Sequence, residues 1–205
     1  MRLLVSGCAC SGTTLMIHLM QYFYNCKVLI EDEIHPIDAI EIPHKDIILT
    51  IKQPFLERSN INYFGLQEVI NAGFKVIWML RDGRDVICSR NSSGNFHASY
   101  RRWVDANIEL LSLSLNPNLC LVRYESLVTN PSVEMDKISA FISQDYQKDY
   151  ENFWLGMKAS RITDNIIPRP IESFSIGNYK NYPEVVDNAL EDSIFRKLLY
   201  LFNYA

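Results

Sequence analysis

A three-layer α/β/α domain around a central parallel sheet of about five strands is the fold this sequence predicts. Short runs of consecutive apolar residues mark strands covered on both faces. Those runs alternate with amphipathic segments of helical spacing, which implies parallel β-α-β units with right-handed crossovers. A glycine-containing loop follows the first apolar run where a helix begins, as in folds of the P-loop nucleotide-binding type.

The strand candidates are 2–6 (RLLVS), 27–31 (KVLIE), 46–52 (DIILTIK), 74–80 (FKVIWML) and 119–123 (LCLVR). Helix candidates lie at 13–24, 61–72, 83–92, 98–114, 131–143 and 184–202. Residues 158–183, rich in Pro, Asn, Ser and Arg, read as a long loop, and loops of that length are usually lids or binding segments. With no repeat, linker or low-complexity tract, residues 1–205 read as one domain large enough to bury a substantial core.

Composition removes several function classes. Hydrophobic residues make up 48% and charged residues 21%, close to the globular average. A net charge of -4 argues against a general nucleic-acid binder, so any anion has to be held by local groups. Five cysteines, odd in number and scattered through apolar segments, suit reduced thiols in a cytoplasmic protein. Cys8 and Cys10 have no matching Cys or His pair at ligand spacing, so no metal site is expected. Residues 5–8 (VSGC) look like a lipoprotein cleavage box, but only four residues precede them. No apolar stretch approaches the roughly 18 residues of a membrane span, so none is expected.

The first loop reads GCACSGTTL over residues 7–15. Gly12 lets the backbone approach an anion, and the N–H groups of Gly12, Thr13 and Thr14 can face phosphate oxygens. Ser11, Thr13 and Thr14 add hydroxyl donors. A triphosphatase loop would carry lysine where Thr13 stands. A second signal follows the fourth strand. Arg81 stands where that strand meets the ligand edge, suited to bidentate phosphate binding, and Ser89 adds a hydroxyl. The competing reading is a structural charge cluster of Arg81, Asp82, Arg84 and Asp85.

Three segments, SGTTL (11–15), LRDGRDVICS (80–89) and VRYESLVTNP (122–131), resemble in order the signature segments of the sulfotransferases. GNYKN at 177–181 resembles a further segment near that family's C-terminus. The resemblance implies 3'-phosphoadenosine-5'-phosphosulfate as sulfuryl donor, 3',5'-adenosine bisphosphate as product, and no metal. It places Ser11, Gly12, Thr13 and Thr14 on the 5'-phosphosulfate, Arg81 and Ser89 on the 3'-phosphate, and Tyr124 near the adenine. The missing lysine then belongs to a loop built for one phosphosulfate rather than a magnesium triphosphate.

The pattern also departs. Cys10, among the donor-binding residues, stands where the family usually carries Lys or Arg facing the leaving phosphate. Lys52, in TIKQP (50–54), resembles a family lysine that faces the sulfonate and is the expected substitute. Arg169 and Lys180 of the long loop are further candidates near the phosphates. The family's Arg-Lys-Gly contact falls on 172–174, which read Glu-Ser-Phe. The cytosolic members' catalytic histidine corresponds to Pro54, so the base is sought elsewhere. Glu33 and His35, following the second strand, are favoured over Glu31, Glu57 and His97.

The expected activity is sulfuryl transfer to a hydroxyl or amine of a small-molecule, carbohydrate or peptide acceptor. A nucleotide-binding relative without activity is the alternative, and a P-loop nucleotide kinase a more distant one. The acceptor is not legible in these residues.

Overall fold

Strands buried on both faces need apolar side chains at most positions, and the central runs 2–7, 48–52 and 74–80 meet that demand, whereas the edge runs 26–28 and 119–123 are only partly buried. The computed structural model describes residues 1–29, 35–42, 48–52, 65–90, 94–156 and 170–205. In it, β1 (Arg2–Gly7), β2 (Cys26–Val28), β3 (Ile48–Lys52), β4 (Phe74–Leu80) and β5 (Leu119–Arg123) form an all-parallel sheet. Their order is β2-β3-β1-β4-β5.

The helices are α1 (Thr13–Leu19), α2 (Pro36–Ala39), α3 (Leu66–Asn71), α4 (Gly83–Ile87), α5 (Tyr100–Ile108), α6 (Leu110–Leu113), α7 (Tyr124–Thr129), α8 (Pro131–Ile142), α9 (Pro183–Leu190) and α10 (Ser193–Leu201). Alternate residues of β4 feed two cores. Phe74, Val76, Trp78 and Leu80 pack with residues of α3, α5, α9 and α10, whereas Ile77 and Met79 pack with α1, α7 and α8. Burying each such side chain contributes about 1.5–3 kcal/mol. The polar atoms carried into the first core are paired. Trp78 Nε1 donates to Asn107 Oδ1 at 3.0 Å, and Asn107 Nδ2 donates to the Trp103 carbonyl at 2.8 Å.

The chain runs from β1 outward to β2 and β3, then crosses β1 to reach β4 on its other side. Adjacent strands whose connections leave in opposite directions open a crevice at their carboxyl ends, the usual ligand site of such sheets. Here those ends are Gly7 of β1 and Leu80 of β4. The two signals singled out in the sequence therefore meet at one place.

Several helices are shorter than periodicity predicts. The 13–24 helix stops at Leu19 and tightens into a 3₁₀ turn over Met20–Tyr22. The 98–114 segment divides into α5 and α6. The 184–202 segment breaks before Asp192, whose carboxylate accepts from the N–H groups of Ile194 and Phe195 and starts α10 afresh. Helix α7 follows β5 directly and has too few apolar residues to register as a periodic segment. The 61–72 and 83–92 helices and the 158–183 loop are described only in part, because 61–64, 91–93 and 157–169 lie outside the described residues.

Candidate nucleotide site

The loop after β1 is shaped by two residues with positive φ, Cys10 at 66° and Gly12 at 93°. Glycine is required at position 12 for two reasons. The left-handed backbone favours it, and an added Cβ would lie 2.6 Å from Cδ2 of Tyr124. Beyond it the Gly12 carbonyl accepts from Met16 N at 3.0 Å, the first bond of α1.

Arg81 follows β4 and is held from several sides. Its backbone carbonyl accepts from Trp103 Nε1 at 3.0 Å, so the α5 core fixes where the residue begins. Its Nη1 donates to the Cys10 carbonyl at 2.9 Å, and Nη2 to the Ser175 carbonyl at 2.8 Å. The guanidinium lies over the Tyr124 ring, 4.4 Å from the centroid, and the Tyr124 hydroxyl bonds the Ser175 hydroxyl at 2.7 Å. Only 7% of Arg81 is exposed.

The charge-cluster reading of this segment holds for three of its four members. Asp82 caps α4 by accepting from Arg84 N and pairs with the Arg84 guanidinium at 2.7 Å. Asp85 accepts from Gly177 N at 2.8 Å and Tyr179 N at 2.9 Å, which docks the GNYKN segment beside the site. Arg81 alone of the four lines the cavity.

That cavity, of about 340 Å³, is bounded by Cys10, Gly12, Thr13 and Thr14 of the loop together with Arg81, Ser89 and Tyr124. Leu15, His18, Val128, Phe153, Pro170, Ile171 and Glu172 supply the rest of its wall. The volume falls in the range of small-ligand sites. Among the described residues, four buried side-chain polar atoms have no hydrogen-bond partner. Three of them, Ser11 Oγ, His18 Nε2 and Arg81 Nε, belong to the loop or to the cavity wall. Orphaned buried donors are rare in folded proteins, and their concentration here marks a place prepared for a polar ligand.

The Cys10 thiol is pushed up by burial, while a hydrogen bond with Ser89 and the charges of Arg81 and Arg102 pull it the other way. It therefore stays protonated and neutral at pH 7. The same contacts place Cys10 beside Ser89 and bring in Arg102, a cation from α5 that the sequence pattern did not single out. Glu172, where the sequence resemblance calls for a basic contact, puts an acid on the cavity wall.

Of the remaining sequence candidates, the described ones do not line the cavity. Lys52 is only 3% exposed, pairs in register with Val5 across β1 and β3, and does not line the cavity, although its charge acts on His18. His35 opens α2, its carbonyl accepting from Asp38 N and Ala39 N. Lys180 is exposed and lies outside the cavity wall. Glu33, Arg169, Pro54, Glu31 and Glu57 lie outside the described residues. His18 was missed, although four residues after Thr14 on α1 it shares a helix face with that loop residue. Phe153 carried no local signal at all, since its place depends on the packing of the 3₁₀ turn Tyr150–Gly156.

Among solved structures, the chain is similar to mouse sulfotransferase SULT7A1 complexed with PAP. The identity is 14%, 96% of this chain and 87% of that one are covered, and the TM-score is 0.59. Retinol dehydratase in complex with androsterone and inactive cofactor PAP matches at 13% identity over 97% of this chain and 80% of its own, with a TM-score of 0.61. The sulfotransferase domain of the Synechococcus PCC 7002 olefin synthase matches at 12% over 93% and 94%, with a TM-score of 0.58. The fold is that of the sulfotransferases. No protein-family model matches the chain, and no curated protein matches it in sequence.

Within the sulfotransferase fold, all five cysteines of this chain are free. No helix among the described residues is long and apolar enough to cross a membrane. Those residues also contain no group of three or more His, Cys, Asp or Glu placed to hold a metal.

Proposed function

We propose that this protein transfers a sulfuryl group from 3'-phosphoadenosine-5'-phosphosulfate to a hydroxyl or amine acceptor. The observation that carries the reading is the meeting of the SGTT loop with Arg81 and Ser89 in one cavity. A ligand with two separate phosphate groups gives both clusters a purpose, whereas a triphosphate leaves Arg81 and Ser89 unexplained. The orphaned Ser11 Oγ and Arg81 Nε fit such an anion, as does the close approach that Gly12 permits. The PAP bound in SULT7A1 and retinol dehydratase, read as 3',5'-adenosine bisphosphate, supports the same choice. A cytoplasmic setting accords with the free cysteines.

When bound, the donor supplies the sulfuryl group and leaves as the bisphosphate. Ser11, Thr13 and Thr14 would hold its 5' end by hydroxyl and backbone N–H groups, and Arg81 with Ser89 its 3'-phosphate. Tyr124, stacked on Arg81 and closed against Gly12, keeps the two anion sites in fixed relation. Lys52 is the proposed cation for charge developing on the leaving group. Glu33 and His35 are the proposed bases for the acceptor proton. Arg169, next to Pro170 in sequence, is proposed as an added phosphate contact.

The neutral Cys10 thiol favours one second reading, a protein that binds the nucleotide without turning it over. Calorimetric titration separates the classes before any acceptor is known. The bisphosphate should bind at least about tenfold more tightly than AMP or ATP, and without magnesium. Equal affinity for AMP and the bisphosphate would remove Arg81 and Ser89 from the site and with them this function. Donor consumption in the presence of acceptor hydroxyls then distinguishes the enzyme from the binding protein.

A further inference from the structure

His18 is 5% exposed, lines the nucleotide cavity and sits one helical turn beyond Thr14 on α1. Gln21 Nε2 lies 3.2 Å from its Nδ1. A side-chain amide nitrogen can only donate, so Nδ1 accepts and the imidazole proton resides on Nε2. That Nε2–H is buried and has no acceptor among the described residues. The ring is also braced, lying roughly parallel to Phe153 with centroids 6.2 Å apart. A donor with a fixed tautomer and an oriented ring is costly to bury unless something accepts from it.

The surrounding wall indicates what that acceptor is. The cavity wall combines polar groups of the loop, Arg81, Ser89 and Glu172 with an apolar set of Leu15, Val128, Phe153 and Ile171, and His18 lies against Phe153 of that set. An apolar wall with one oriented N–H suits a flat heteroaromatic ring that carries an unprotonated nitrogen. Among the described residues of this apolar wall none is Lys or Arg, and Lys52, whose charge reaches His18, does not line the cavity, so the wall suits a ring nitrogen better than a further phosphate. We propose that His18 reads the base of the bound nucleotide, its Nε2–H donating to an unprotonated ring nitrogen of the purine. The proposal rests on the nucleotide reading above and adds to it the residue that distinguishes the base.

The test compares 3',5'-adenosine bisphosphate with ribose 3,5-bisphosphate, which keeps both phosphates and lacks the base. His18→Phe should weaken the nucleotide about tenfold while changing the base-free ligand less than about twofold, and His18→Gln, which keeps a donor, should recover part of the loss. Equal weakening of both ligands, or of neither, overturns the proposal and leaves His18 a packing residue. Nitrogen NMR of the unmutated protein gives an answer that needs no variant. The His18 Nε2 resonance should report a protonated nitrogen and should shift with the nucleotide but not with the base-free ligand. A shift with both, or with neither, overturns it as well. If the parent protein binds neither ligand, the nucleotide reading itself fails and the base-reading role falls with it.

Discussion

The guanidinium carbon of Arg81 stands 4.4 Å from the centroid of the Tyr124 ring, and that ring also closes against Gly12. Two segments distant in sequence are thereby locked to the first loop. Cation–π contact, two carbonyl bonds and the Trp103 bond to its own carbonyl over-determine where Arg81 sits. Such a residue braces the fold and is also the proposed ligand contact, so its removal has two separable signatures.

Arg81→Ala should lower bisphosphate affinity at least about tenfold. It should also lower the ligand-free stability by on the order of 1–3 kcal/mol, because charge-assisted bonds to Cys10 and Ser175 are lost. Arg81→Lys keeps the charge and loses the fork, so it should recover stability better than affinity. Thermal melting with and without the bisphosphate reads both effects. A variant that loses stability yet keeps the tenfold preference for bisphosphate over AMP would show that Arg81 only braces the loop.

Gly12→Ala should damage the site more than it damages the fold. The new methyl meets both an unfavourable φ of 93° and the Tyr124 ring at 2.6 Å. Trimming Tyr124 to Ser in the same chain removes the clash and leaves the backbone strain. Tyr124→Ser alone carries the cost of losing the ring stacked on Arg81, so it is the reference: adding Gly12→Ala to it should lower bisphosphate affinity less than Gly12→Ala lowers it in the parent, but still measurably. No further loss would mean that the clash alone enforces glycine here.

The strands and the two segments proposed to bind anions were legible because each is written locally. Apolar runs such as 74–80, alternating with helical segments, read as doubly covered strands, and SGTTL and Arg81 lie at the carboxyl ends of β1 and β4. The rest of the site depends on packing between distant segments. Arg102 reads as an ordinary helix-surface cation until α5 is laid against the α4 side of the sheet. His18 reads as a lone polar residue on an apolar helix until Phe153 arrives beside it. Asp192, likewise, stops a long helical pattern by capping a new one, a choice that apolar spacing does not record.

The buried imidazole also gives stability a pH dependence. Burial first, then the Lys52 charge, lowers the His18 pKa below its ordinary 6.5. The unfolded chain then takes up a proton at that position before the folded one does. Stability from this group is full above pH 6.5 and is lost as pH falls through 6.5 toward the folded value. Denaturant titrations from pH 7.5 to 5, with His18→Gln as reference, isolate the contribution. The variant should show a shallower loss over that window. Parallel curves would mean that His18 is as easily protonated in the folded protein as in the unfolded one.

The proposed turnover rests on the contrast between Cys10 and Lys52. A neutral thiol at position 10 cannot stabilise charge developing on a leaving phosphate, and Lys52, buried on β3, is the cation proposed to replace it. Lys52→Met keeps the length and apolar stem of the side chain and removes the charge. Turnover should fall by about a hundredfold or more, the usual scale for losing one transition-state contact. Donor affinity should fall much less, since a contact formed mainly in the transition state lowers kcat rather than ground-state binding. Cys10→Lys should fold, because position 10 is only partly buried and its neighbouring cavity leaves a long side chain somewhere to extend. Placed beside the same phosphate, the new ammonium should restore part of the rate lost in Lys52→Met. The contrary pattern is equally clear: Lys52→Met as active as the parent, with Cys10→Lys switching on turnover that was undetectable before. In that case Lys52 supports the fold of β3, and the native chain binds its nucleotide without a catalytic cation.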